Sequence, residues 1–339
     1  MLTYHTIYKT FTKTFNRAML IDYPSTQESR KLAKRYGYNE FIVRRWINFF
    51  GFDETVRIIE AMERGIPKHI RVNTIKIDEK ELVERLEERG FKIEKTEIPF
   101  CYKVVEEPYS IGATPEYLMG YYYVMEKSSC IPPLALDPKS NEIVVDFASA
   151  PGGKTTFLAQ LMSNKGVLLA IEANKERIQA LIDNIHRMGV LNTAVIHMNA
   201  VKFCNLNLKV DKILLDAPCS GEGVIHKDKD RKKISGKKDI EFCSKLQKDL
   251  IVSALKSLKP GGVLVYSTCT LTPEENELII QFVLENFDVK IEDIKWGEPA
   301  LTEIPNFEEL DKDIAKCKRF YPHKHETSGF FVAKIVKLD

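Results

Sequence analysis

Five near-continuous apolar runs follow one another beyond about residue 120: EIVVDF (142–147), GVLLAIE (166–172), TAVIHM (193–198), VDKILLDAP (210–218) and GGVLVYSTC (261–269). Strands with so few polar interruptions suit a sheet covered on both faces. Helical patterns lie between several of them. KERIQALIDNIHRMG (175–189) carries Ile178, Leu181, Ile182 and Ile185 on one face and stops at Gly189. SKLQKDLIVSALKSLKPGG (244–262) carries Leu246, Leu250, Leu255 and Leu258 and has the same kind of stop. Alternating strand and helix predicts an α/β fold with a doubly wound, mostly parallel sheet. Ligands of such sheets lie at the carboxyl ends of the strands. Asp146, Glu172, Asp216 and Cys269 stand at those ends.

The first third of the chain reads differently. Residues 27–64 form two or three short helices, one of them FIVRRWINFFG ending on Gly51. HIRVNT (69–74) reads as a strand, DEKELVERLEERG (78–90) as an amphipathic helix, and FKIEKTEI and CYKVVEE as strands. The expected division is a helical segment and small α/β module over residues 1–118, followed by the large sheet over 119–339.

No apolar run approaches the length of a membrane span, and MLTYHTIYKT lacks the charged start and apolar core of a signal peptide. The seven cysteines are odd in number and no pair has CxxC spacing, which argues against a zinc site or a disulfide frame. A reducing cytoplasm and no metal are expected. The net charge of +2 is uninformative about nucleic acid, but its distribution is not. Residues 1–50 hold nine Lys and Arg against three Asp and Glu, and HKDKDRKKISGKK (226–238) holds seven against two. Such patches can follow a phosphate backbone; a solvated face and a mobile loop are the plainer alternative.

DFASAPGGKTT (146–156) joins the first strand to its helix. A phosphate-binding loop would need glycine five residues before Gly153, with four residues between, and Ala148 stands there. A dinucleotide would need G-x-G-x-x-G, which is absent. Gly152 and Gly153 still let the backbone approach a ligand. Glu172, 26 residues after Asp146, is placed as a carboxylate that grips ribose hydroxyls. An adenosine without phosphates fits best, and S-adenosylmethionine is the obvious one. A tight strand–helix turn with no ligand is the alternative. DAPCSGEG (216–223) and STCT (267–270) each add a cysteine at a neighbouring strand end. Either alone would pass for a small buried hydrophobe. Two together, in a polar ligand crevice, suit a thiolate nucleophile.

With these motifs on view, the chain resembles the Sun family of S-adenosylmethionine-dependent RNA cytosine-5 methyltransferases. The likeness rests on DFASAPGGKTT, Glu172 with Arg177 and Asn184, DAPCSGEG, Leu246-Gln247, KPGGVLVYSTCTLTPEENE (259–277) and RFYPHKHETSGFFVAK (319–334). Upstream it takes in GYYYVMEKSS (120–129) and IRVNT (70–74) and covers roughly residues 25–339. It implies a Rossmann-like domain whose last strand, GFFVAKIV, is antiparallel, preceded by a small RNA-binding module. It implies a cofactor site made by Ala148, Ser149, Ala150, Pro151, Gly152, Gly153, Lys154, Glu172, Arg177, Asn199, Asp216 and Pro218. It makes Cys269 the thiolate that adds to carbon 6 of an unstacked cytosine, and gives product release to Cys219. Asp216 is the candidate partner of ring nitrogen 3, and Lys154 stands beside the methyl donor.

Two residues depart from the family pattern. Asn199 replaces the usual acidic residue after the third strand, and Met125 replaces a frequent Gln. His323 and His325 have no third ligand at hand and read as structural or RNA-facing. A tRNA or rRNA substrate and a monomeric state are expected. The competing readings are a DNA cytosine methyltransferase, with Cys219 as nucleophile, and an RNA-binding or ribosome-assembly factor with a vestigial site.

Overall fold

The computed structural model describes residues 20–227, 230–234, 236–307 and 309–339. Lys9, Lys13, Arg17 and Lys229, which contribute to the two basic stretches, lie outside the described residues.

Among the described residues three helices lead: α1 (Gln27–Tyr36), α2 (Glu40–Phe50) and α3 (Phe52–Arg64). Each boundary has a local cause. Thr26 and Ser29 cap the start of α1 reciprocally, and Gly37, at φ 73°, turns the chain out of it. Asn39 Oδ1 accepts from Phe41 N to start α2. Their apolar faces meet around the fully buried Trp46, with Ile42, Val43, Ile58 and Ile59. Leu271 and Tyr321 of the large domain pack into the same cluster.

A four-stranded antiparallel sheet follows, in the order β2 (Lys92–Lys95), β3 (Cys101–Glu106), β1 (His69–Val72), β4 (Tyr122–Val124). Helix α4 (Glu79–Glu88), capped by Asp78, lays Leu82 and Leu86 on Ile70, Val72 and Tyr102. FKIEKTEI is a strand only as far as Lys95. Thr96 Oγ1 donates to Cys101 O at 2.9 Å and accepts from Ile98 N at 3.2 Å, which closes a turn instead. β4 pairs with β1, so the small sheet takes in residues 122–124.

The large sheet runs β11 (Glu298–Pro299), β12 (Lys318–Phe320), β13 (Phe330–Lys337), β9 (Leu258–Thr268), β8 (Val210–Asp216), β5 (Ile143–Asp146), β6 (Val167–Glu172), β7 (Thr193–His197), and β10 (Val289–Glu292) also pairs with β13. Strands β5 to β9 are parallel, and β13 lies antiparallel to β9, as the sequence led us to expect. Helices α5 (Gly153–Leu161), α6 (Lys175–Arg187), α7 (Lys237–Ser257) and α8 (Glu277–Asn286) cover it. Both faces are buried, with Phe147, Leu215 and Tyr266 in one apolar cluster and Val144, Leu214 and Val265 in the other. That explains the unbroken apolar runs.

The described residues of the 226–238 stretch are partly helical, where a mobile loop was the plainer alternative. Arg231–Ile234 forms one helical turn, and α7 begins at Lys237, seven residues before the expected Ser244. Asp239 Oδ2 accepts from Gly236 N at 3.2 Å and fixes that start.

The small sheet is joined to the large one through Arg71. Its guanidinium, fully buried, donates to Gly153 O at 2.8 Å and Thr156 Oγ1 at 3.1 Å, and lies 4.8 Å from the Phe157 ring centre. Burial pushes its pKa down to about 10. The leading helices are joined through Arg45, which makes a buried ion pair with Glu274 at 2.7 Å.

Candidate active site

The turn after β5 is braced before it meets any ligand. Ser149 N and Oγ both donate to Ile171 O, at 3.0 and 2.9 Å, tying the ends of β5 and β6 together. Gly152 adopts φ 104°, which side chains rarely tolerate. A Cβ at Gly153 would lie 3.1 Å from Tyr123 Cε1, so the small sheet presses directly on this turn. Arg177 Nη2 donates to Ala150 O at 2.5 Å, and Asn184 Nδ2 to Pro151 O at 2.9 Å. Ala150 and Ser149 are buried, whereas Pro151 is exposed and Ala148 half-buried.

Glu172 ends β6, almost wholly buried. Its oxygens accept Ala150 N at 3.2 Å and Asn174 N at 2.8 Å, and Arg177 Nη1 approaches to 3.9 Å. A carboxylate oxygen that takes one backbone N–H keeps a lone pair for a second donor. Asp146, one of the four strand-end candidates, is buried behind this turn. Thr155 Oγ1 donates to its Oδ2 at 2.7 Å, while Oδ1 is buried without a partner. Burial raises its pKa to about 7. A glycine cradle and two acidic strand ends suit an adenosine with a cationic tail. Asn199 lies exposed after β7, its Oδ1 accepting from Val201 N at 3.0 Å to cap the next turn.

The chemistry-bearing residues converge at the ends of β8 and β9. Register pairs Asp216 with Ser267, so the loops that follow run side by side. Cys219 Sγ and Cys269 Sγ are 3.3 Å apart. Both cysteines are half-buried. The S–H···S contact from Cys219 lowers the Cys269 pKa and raises that of Cys219. Around Cys269, burial and the Asp216 carboxylate oppose a thiolate while Lys154 and Arg231 favour one; around Cys219, burial opposes one. Lys154 reaches from the first turn of α5 to Asp216 Oδ2 at 2.6 Å. Ser267 Oγ donates to Asp216 Oδ1 at 2.7 Å. Burial lowers the Lys154 pKa, and the Asp216 carboxylate more than offsets it.

The Cys219 loop is fixed by close backbone passage. Gly223 N donates to Cys269 O at 3.0 Å and Gly329 N to Gly223 O at 3.0 Å. A Cβ on Gly223 would fall 2.1 Å from Gly329 O. EKSS is a brace: Glu126 accepts from Ser328 N at 2.8 Å, and Ser128 N donates to Thr327 Oγ1 at 3.1 Å. Met125 is half-buried and packs on the apolar cluster beneath the site. His323 Nε2 pairs with Glu54 Oε1 at 2.9 Å, and His325 Nδ1 accepts from Tyr321 N at 2.9 Å. Both are thus tied into the fold. Among the described residues, no three His, Cys, Asp or Glu are placed to share a metal ion. Among them too, no helix is long and apolar enough to cross a membrane.

Similarity to known proteins agrees with this geometry. Residues 133–336 match the family described as 16S rRNA methyltransferase RsmB/F, and residues 38–106 match its ferredoxin-like domain. The chain is 39% identical over 321 residues to the human 28S rRNA (cytosine(4447)-C(5))-methyltransferase, covering 91% of this chain and 39% of that protein. It is 40% identical over 307 residues to the Pyrococcus abyssi tRNA (cytosine(49)-C(5))-methyltransferase, covering 88% and 96%. A solved Pyrococcus horikoshii structure, titled a methyltransferase homolog protein, superposes with a TM-score of 0.85 at 46% identity, covering 92% of this chain and all of that one. The chain spans about half or less of the length of its curated eukaryotic relatives. A match over most of the large sheet, with the small sheet matched beside it, places the chain in the RsmB/F methyltransferase family.

Proposed function

We propose that the chain is an RNA (cytosine-5) methyltransferase acting on an unstacked cytosine of tRNA or rRNA. The observation that carries this is the pair of cysteine sulfurs 3.3 Å apart beside the Lys154–Asp216 pair. When bound, S-adenosylmethionine supplies the methyl group as a sulfonium. The turn from Ala148 to Gly153 and the Glu172 carboxylate are suited to hold its adenosine part; Asn199 and Pro218 border that crevice in the same reading.

Carbon 5 of cytosine is a weak nucleophile. Cys269, the sulfur favoured as thiolate, adds to carbon 6, and electron density moves to carbon 5 and nitrogen 3. Asp216 faces the developing charge at nitrogen 3 with the ammonium proton of Lys154 to share. After transfer the carbon-5 proton departs to a base, the carbon 6–sulfur bond breaks, and the electron pair returns to Cys269. Cys219, held as the more basic of the two sulfurs, serves that release.

A cytosine inside a helix is closed to a thiolate, so the base must be unstacked. The exposed Lys237, Lys238 and Lys245 of α7 are suited to the RNA backbone. The DNA-type alternative loses ground because the relatives named above act on RNA. The vestigial alternative loses ground because both cysteines, Asp216 and the cofactor turn are present. Our reading includes a monomer working in the cytoplasm; seven free cysteines suit a reducing compartment.

The test is tritium release from RNA carrying cytosine labelled at carbon 5, with S-adenosylmethionine. We expect release in step with methyl incorporation from RNA, and none from duplex DNA. Methyl incorporation without tritium release would overturn the carbon-5 assignment.

A further inference from the structure

Two motifs of the sequence have no part in the chemistry so far: Leu246-Gln247 on α7 and the glutamates of TPEENE. The structure brings them together behind Cys219. Gln247 Nε2 donates to Pro218 O at 2.8 Å and to Glu275 Oε2 at 2.8 Å. The same Glu275 oxygen accepts Ser220 N at 2.9 Å. Pro218 and Ser220 flank Cys219 on either side. Glu275 and Gln247 are both fully buried, and neither lies where a substrate could touch it.

The clamp joins three separate parts of the chain. Glu275 is fixed from its own backbone, whose carbonyl accepts Tyr266 OH at 2.6 Å. Gln247 is fixed by α7. Ser220 Oγ lies 2.9 Å from Thr270 Oγ1, so the neighbour of Cys219 is also bound to the neighbour of Cys269. Burying a carboxyl is costly unless it is well partnered. A fold that needed only stability would place an apolar residue here.

We infer that Glu275, acting through Gln247 and the Ser220 backbone, is a positioning residue that holds Cys219 over Cys269 and so governs product release. This rests on the division of labour between the two cysteines proposed above. Attack by Cys269 starts from the end of β9, and neither the Glu275 carboxyl nor the Gln247 amide bonds to Cys269; their partners are Pro218 O and Ser220 N beside Cys219. Release needs Cys219 at the right height. Loosening the clamp should therefore leave the first half of the reaction and slow the second.

Burial pushes the Glu275 carboxyl up to about 8, so near neutral pH it is mostly protonated. Its Oε1, which has no partner, is then the natural seat of the proton, and Oε2 stays the acceptor. A glutamine has the same shape and can offer the same acceptor. It is the conservative replacement that should rescue.

The experiment uses the full chain with labelled RNA and S-adenosylmethionine, read on a denaturing gel and by steady-state turnover. Glu275→Ala should accumulate the covalent protein–RNA band, with turnover down roughly tenfold to a hundredfold, the scale of a 1 Å misplacement. Its KM for S-adenosylmethionine should not move. Glu275→Gln should return turnover to near the wild-type level and remove the band. Gln247→Ala, which frees Pro218 O, should accumulate the band as well and carries the test if Glu275→Ala does not fold. Cys219→Ala run in parallel separates the two levels. If Cys219→Ala gives the band and neither clamp variant does, the clamp has no role in release. If Cys219→Ala itself gives none, the division between the cysteines is wrong.

Discussion

Lys154 Nζ lies 2.6 Å from Asp216 Oδ2, and Ser267 Oγ holds the other carboxylate oxygen at 2.7 Å. The lysine comes from the first turn of α5 and the aspartate from the end of β8, so the ion pair spans the crevice between cofactor turn and cysteines. A mostly buried pair of this kind is expensive to keep for stability alone. Its use is to present a proton where charge develops. Lys154→Met should lower turnover by roughly 10²- to 10⁴-fold, the range for a positioned acid or base. S-adenosylmethionine affinity measured by calorimetry should change little. A variant with near wild-type turnover would remove Lys154 from the chemistry.

Glu172 is the second lever. Its carboxylate already receives Ala150 N and Asn174 N, so it shapes the turn as well as facing the crevice. Glu172→Ala should weaken S-adenosylmethionine binding by about 1.5–3 kcal/mol, the range for hydrogen bonds to a charged group. Unchanged affinity in a folded variant would take Glu172 out of the cofactor site.

RNA binding should weaken steeply with salt. Each lysine released from a single strand contributes roughly 0.7 to the slope of log affinity against log salt. Replacing Lys237 and Lys238 by alanine should then flatten that slope by roughly 1.4. A slope equal to that of the wild type would show that this end of α7 does not meet RNA.

Stability should fall as pH rises through the neutral range. Glu275 titrates at about 8 in the fold against an ordinary 4.5, and Asp146 at about 7 against 3.8, burial being the main cause of both. Between the ordinary and raised values the folded chain keeps protons that the unfolded chain has lost. The stabilisation is therefore full below about pH 4 and is lost as pH passes about 7 to 8. Urea midpoints measured from about pH 6 to pH 9 should decline, and Glu275→Gln should decline less. Equal slopes for the two proteins would contradict a protonated Glu275.

Much of this was legible in the residues. Strand-long apolar runs revealed the parallel sheet because both its faces are buried. DFASAPGGKTT, Glu172 and the two cysteines could be placed because each sits at a strand end, where sequence order and spatial order coincide. Contacts between distant segments left no such signal. Arg71 gripping Gly153 O, and Gln247 meeting Glu275, join residues far apart in sequence through packing that no periodicity reports. The start of α7 was missed because its first turns are lysine-rich and carry little apolar pattern. Asp146 was visible as a strand end, but its orphaned buried oxygen needs coordinates to be seen.

The most direct measurement is a denaturing gel of two cysteine variants, each incubated with labelled RNA and S-adenosylmethionine. The sulfurs are 3.3 Å apart, so geometry alone gives either one access to the same base. The contact between them favours the thiolate on Cys269. Cys219→Ala should attack, transfer the methyl group and stay bonded to RNA through Cys269, giving a shifted band. Cys269→Ala should give neither band nor methylated RNA. A band from Cys269→Ala and none from Cys219→Ala would make Cys219 the nucleophile and contradict the roles assigned to both.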